Sequence, residues 1–141
     1  MRRLLLLFAL SSTLTLGNTG AFGQAFSSLE EVEQYRDSIS LNQNQLMFIV
    51  RSLYPYIVDL EFYSDTRRNV AWPGGNEVYV LKNNNWNVFI LNCKRCENIC
   101  YGAGARGRND LYWGVGVNFN SSCSECCYRC TGTTSRAITL E

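Results

Sequence analysis

Cys93-Lys94-Arg95-Cys96-Glu97-Asn98-Ile99-Cys100 and Cys123-Ser124-Glu125-Cys126-Cys127-Tyr128-Arg129-Cys130 carry all seven cysteines of a 141-residue chain. How these thiols are used decides what kind of fold the chain can build. Three uses compete. In an oxidising compartment thiols pair and persist, and each bridge restricts the unfolded chain by about 2–4 kcal/mol. In a reducing compartment, Cys93-x2-Cys96 with Cys123-x2-Cys126, or with Cys127-x2-Cys130, has the paired spacing of a zinc site with four thiolate ligands. A CxxC pair can also exchange with disulfides when a nearby positive charge lowers a thiol pKa, and Lys94 and Arg95 precede Cys96.

The N-terminal residues rank these uses. Met1-Arg2-Arg3 is followed by a mostly apolar run from Leu4 to Leu16, then by the small-residue triplets Ala21-Phe22-Gly23 and Gly23-Gln24-Ala25. That order is the pattern of a cleaved export signal, with cleavage before Gln24 or before Phe26. The run is shorter than the roughly 20 residues a bilayer span needs, so no stable membrane span is expected once the signal is removed. Residues 1–25 therefore read as a signal peptide and 26–141 as one secreted domain, periplasmic or extracellular. Export puts disulfides first, with Cys93, Cys100, Cys123, Cys126, Cys127 and Cys130 as bridge candidates. Their spacing does not choose the pairing. Seven is odd, so one thiol is left over. The charged neighbours Lys94, Arg95 and Glu97 suggest an exposed turn and single out Cys96, through which a covalent dimer could form.

Composition narrows the chemistry further. With 46% hydrophobic and 18% charged residues the chain can build a core. It contains no histidine, which excludes imidazole metal ligands, Ser-His and Cys-His nucleophile pairs, and imidazole acid–base catalysis. The formal net charge is +1, and the two arginines of the signal account for more than that excess. Nucleic acid is therefore not an expected partner, and no cofactor is expected.

Along the chain, Ser27 and Ser28 precede Glu30 and Glu31 in capping-box spacing, which predicts a short helix from about Ser28 to Ser40. Leu46, Ile49, Val50 and Leu53 form an i, i+3, i+4, i+7 stripe, read as a second helix that stops near Tyr54 because Pro55 follows. Beyond Pro55 the period changes to two. Val58, Leu60 and Phe62 alternate with Asp59, Glu61 and Tyr63, the pattern of a half-buried strand. Further strands are predicted at Glu77–Lys82, at Val88–Leu91 with both faces covered, from Leu111 to Phe119 with Trp113 in the core, and at Ala137–Leu140. Trp72-Pro73-Gly74-Gly75 and Asn83-Asn84-Asn85 are turn chemistry. The fold class is thus α+β: a short N-terminal helical segment followed by a small antiparallel sheet or sandwich body, stabilised by disulfides.

Two motifs invite a stronger reading. Gly102-Ala103-Gly104-Ala105-Arg106-Gly107 matches G-x-G-x-x-G, but a dinucleotide loop must open a helix, and strand-like sequence follows here. Close strand approach, a bulge or a tight bend explains these glycines better. Asp59 and Glu61 share a strand face, as paired glycosidase carboxylates could, but a solvated face gives the same pattern. Asn120-Ser121-Ser122 is a glycosylation sequon, meaningful in a eukaryotic secretory host. Trp72 and Trp86, in turn-like contexts, and Tyr112, opposite Trp113, are candidates for an exposed aromatic surface, with Arg106 and Arg108 as a basic loop beside it. Together these features describe an exported, non-catalytic binding or structural module that engages a protein or a glycan. A zinc-stabilised module and a CxxC redox protein are the alternatives.

Overall fold

The structure, a computed structural model, describes residues 23–141; most of the expected signal segment lies outside them. The first elements are a short strand, β1 (Gln24–Phe26), and a helix, α1 (Leu29–Ser38). Ser28 caps α1 by accepting from the Glu31 N–H, while the Glu31 carboxylate accepts from both the N–H and the hydroxyl of Ser27. The helix is otherwise weakly amphipathic and fully buries only Val32. It is held by packing rather than by its own propensity.

The expected second helix is instead a strand, β2 (Gln45–Ser52). Its sequence, Gln-Leu-Met-Phe-Ile-Val-Arg-Ser, contains a continuous apolar run, and such a run satisfies a helical stripe and a doubly buried strand equally well. Partners on both faces decide the outcome. Leu46, Phe48 and Val50 point into the main core, while Met47 and Ile49 point to the other face, beneath Val32 of α1. The remaining strands are β3 (Val58–Ser64), β4 (Ala71–Trp72), β5 (Tyr79–Leu81), β6 (Trp86–Asn92), β7 (Asn98–Ala105), β8 (Tyr112–Gly114), β9 (Cys127–Arg129) and β10 (Thr133–Leu140).

They form two sheets. The first has the order β1-β6-β2-β10, antiparallel except for the parallel pair β2–β10. The second has the order β4-β3-β7-β8, with β5 also on β3 and β9 also on β7, all antiparallel. Their inner faces close on one core, in which the Phe48 and Phe62 rings lie 4.4 Å apart and Phe62 also meets Phe89 and Tyr79. Helix α1 covers the outer face of the first sheet over Met47, Ile49, Trp86 and Val88. The α+β architecture with its small, mainly antiparallel body is therefore observed.

The strand expected at Glu77–Lys82 is observed as the shorter β5, with Tyr79 and Leu81 in the core and Val78 and Val80 exposed. The strand expected from Leu111 to Phe119 ends at Gly114, and Trp113 is half-buried at its edge. Gly114 and Gly116 adopt φ of +64° and +70°, values that glycine reaches without the steric cost borne by other residues. The chain there leaves the ladder and turns through a 3₁₀ turn at Val117–Phe119.

Candidate functional site

Helix α1 covers part of the first sheet's outer face, and the outer face of the second sheet carries two adjoining clefts. On β3 this face carries Asp59, Glu61 and Tyr63, and on β7 their cross-strand partners are Gly104, Gly102 and Cys100. The two glycines leave a trough in the sheet, and the segment after β8 lies in it. A Cβ at Gly102 would stand 2.0 Å from the Gly116 carbonyl oxygen, and one at Gly104 would stand 2.5 Å from a Val117 methyl. The G-x-G-x-x-G match is thus the seat for this overlying segment. Gly102, Gly104 and the residues between them are strand, with no helix opening behind them.

Tyr63 joins floor to roof. Its hydroxyl donates to the Glu61 carboxylate and accepts from the Asn118 N–H at 2.8 Å. Burial, reinforced by the Glu61 bond, pushes the phenol well above its ordinary range. Two clefts meet at this bridge, sharing Glu61, Tyr63 and Asn118. One, of about 520 Å³, runs past Asp59, Val78, Arg106, Arg108, Tyr112, Asn120 and Ser121. The other, of about 950 Å³, runs past the 64–71 loop, Gly74–Asn76 and Phe119.

Both arginines lining the first cleft are paired with carboxylates, while Glu61 has only the neutral Tyr63 hydroxyl as its bonded partner. The Arg106 guanidinium bonds Asp59, with Nε 3.0 Å from Oδ1, and Arg108 Nε lies 3.0 Å from Oδ1 of Asp110. Bonding to Arg108 holds the Asp110 carboxyl below its usual range, and bonding to Asp59 raises the Arg106 value further. Neither arginine is therefore an unpartnered anion grip. Asp59 and Glu61, the carboxylates that share this strand face, are occupied by Arg106 and by the Tyr63 hydroxyl.

Of the aromatic candidates, Tyr112 lines the first cleft, with half of its surface exposed. Trp86 is not exposed. It is 6% accessible, packed in the cluster beneath α1, with the Arg51 guanidinium 4.5 Å from its ring centroid. The asparagine turn before it is exposed, but strand alternation in β6 turns the indole inward. Trp72 is half-buried at a sheet edge, packs against the main core, and donates from Nε1 to the Asn92 carbonyl at 3.1 Å. Tyr63, Asn118 and Phe119 were not among the sequence candidates. The signal for Tyr63 was an aromatic residue in register with Asp59 and Glu61, on a face otherwise charged.

The cysteines pair as Cys93–Cys130, Cys100–Cys127 and Cys123–Cys126, and Cys96 is unpaired and exposed. Cys100 and Cys127 are register partners on β7 and β9, and Cys93–Cys130 links the end of β6 to the approach to β10. These bonds engage three of the four thiols in either zinc-site grouping, and no metal-binding cluster is present among the described residues. The turn at Cys96 differs from expectation in one respect: Lys94 and Arg95 are exposed, but Glu97 is 2% accessible. Its carboxylate accepts from both the Nε and Nη2 atoms of Arg67, from the Ser64 hydroxyl at 2.6 Å and from the Lys94 N–H at 2.8 Å. Burial opposes ionisation of Glu97, but these four donors outweigh it and hold the carboxyl below its ordinary range.

No helix among the described residues is long and apolar enough to cross a membrane. No family model, no curated protein and no solved structure matches this chain.

Proposed function

We propose that the protein is an exported, disulfide-stabilised, non-catalytic binding module that holds a neutral glycan in the cleft on the outer face of its second sheet. The observation that carries this reading is the lining of that cleft: arginines neutralised by carboxylates, a row of hydrogen-bonding groups and one exposed aromatic ring. Asp59–Arg106 and Arg108–Asp110 cancel each other's charge, which disfavours capture of a polyanion. Asn109, Asn120 and Ser121 present amides and a hydroxyl, and Tyr112 offers a flat face at the rim. Neutral sugars are recognised by that combination of hydroxyl-directed hydrogen bonds and an apolar ring face against an aromatic side chain.

The test is a printed glycan array probed with the exported protein, followed by calorimetry on any sugar it retains. Tyr112→Ala is expected to weaken binding about tenfold, the loss of roughly 1.4 kcal/mol of ring contact, with unchanged thermal stability. Absence of retained glycans, or binding indifferent to Tyr112→Ala, contradicts the reading. One observation favours a redox alternative: Cys123–Cys126 is a bridge within a CxxC motif. Its selective reduction, with turnover of a disulfide substrate, would support that alternative.

A further inference from the structure

We propose that the mature chain begins at Gln24 and that this glutamine closes on its own amine to form a pyroglutamyl cap. The modification rests on the export-signal reading above. Two peptide bonds meet the small-residue rule for signal cleavage, Gly23–Gln24 and Ala25–Phe26. Sequence does not separate them, but the fold does. Strand β1 sets Gln24 opposite Val88, Ala25 opposite Asn87 and Phe26 opposite Trp86 on the free edge of β6. Cleavage before Phe26 removes two of these three positions. It also places a charged ammonium on a half-buried residue whose ring lies 5.3 Å from that of Tyr35. Cleavage before Gln24 keeps the strand whole and places the new amine on an exposed residue.

A terminal glutamine then reacts without a co-reactant. The neutral α-amine attacks the side-chain amide carbon and forms a new C–N bond, closing a five-membered lactam. The original bond from that carbon to the amide nitrogen breaks, and ammonia leaves with the displaced proton. A free α-amino group, with an ordinary pKa near 7.7–8.0, is part-charged at neutral pH. The lactam is uncharged and keeps one N–H, so the cap removes an ammonium from the start of a strand ladder while leaving a donor there. Gln24 is solvent-exposed, and the reaction does not require the core to open.

The experiment expresses the full chain, with its own residues 1–25, in a secreting host. The exported protein is held at neutral pH and read by intact mass and by tandem mass spectrometry of its N-terminal peptide. The expected product begins at Gln24, is one ammonia lighter than the open form and resists Edman degradation. The Gln24→Ala variant is expected to be cut at the same bond without the ammonia loss. A product beginning at Phe26, or one beginning at Gln24 with a persistent free amine, overturns the proposal alone. A product that retains residues 1–23 overturns the export reading and the proposal with it.

Discussion

Glu97 shows how one residue reverses its apparent role once the chain folds. Between Cys96 and Asn98 it reads as part of a charged, exposed turn, yet its side chain is 1% accessible and ion-paired to Arg67. It ties the 93–97 turn to the Ser64–Arg67 loop at the mouth of the larger cleft. Its folded-state pKa lies below the ordinary value of 4.5. Its contribution to stability is therefore complete above the ordinary carboxylate range and fades as pH falls through the lowered folded value. Glu97→Gln is expected to cost about 2–4 kcal/mol at neutral pH, because Arg67 loses its charged partner but keeps some access to water. The variant should also flatten the acid limb of the stability curve. Urea denaturation of both proteins between neutral and acid pH measures this, and parallel curves would show that another carboxylate sets the acid limb. At Gly102, any side chain meets the Gly116 carbonyl. Gly102→Ala is expected to lose about 1–3 kcal/mol by overpacking and to displace the Val117–Phe119 turn from Tyr63, an effect visible as altered amide exchange at Asn118.

At the scale of elements, the legible parts were those whose pattern admits one answer. Alternation at Val58, Leu60 and Phe62 fits a strand with one wet face, and that is β3. The Ser28–Glu31 spacing fits a capped helix, and that is α1. The segment Leu46–Leu53 fits a helical stripe and a doubly buried strand equally well, because its apolar run carries no single period. Only the presence of α1 on one side and the second sheet on the other makes it a strand. The glycines at 114 and 116 held the information that the β8 ladder would stop, but alternation with Trp113, Val115 and Val117 masked it. The clefts were legible only in fragments: Tyr112, Arg106 and Asp59 are visible in sequence, whereas their meeting with Asn118 and Tyr63 depends on the pairing of β3 with β7. The bridges differ at this scale as well. Cys93–Cys130 and Cys100–Cys127 close 37 and 27 residues, whereas Cys123–Cys126 closes 3. Loop-closure entropy assigns the long bridges about 3.5–4 kcal/mol each and the short one about 1.5 kcal/mol. Replacing Cys123 and Cys126 together with serine should therefore lower the melting temperature much less than replacing Cys100 and Cys127. Equal losses would show that packing at Cys126, rather than loop closure, dominates.

For the whole molecule, the absence of histidine and the confinement of all cysteines beyond residue 92 describe one design. The N-terminal half supplies the helix and the apolar central strand β2. The C-terminal half returns to both sheets, through β6 and β10 in the first and β7, β8 and β9 in the second, and the longer bridges fasten these returns to one another. That arrangement lets a short chain close two sheets on a single core while two adjoining clefts form on the outer face of the second sheet. The central claim is therefore the bridge pattern. It is tested most directly by tandem mass spectrometry of an unreduced digest after alkylation of the native protein. The account predicts an intact mass six hydrogens below the reduced chain, the pairs Cys93–Cys130, Cys100–Cys127 and Cys123–Cys126, and a single alkylated residue, Cys96. Seven alkylated thiols, or a bridge joining Cys96 to Cys93 or Cys100, would contradict it.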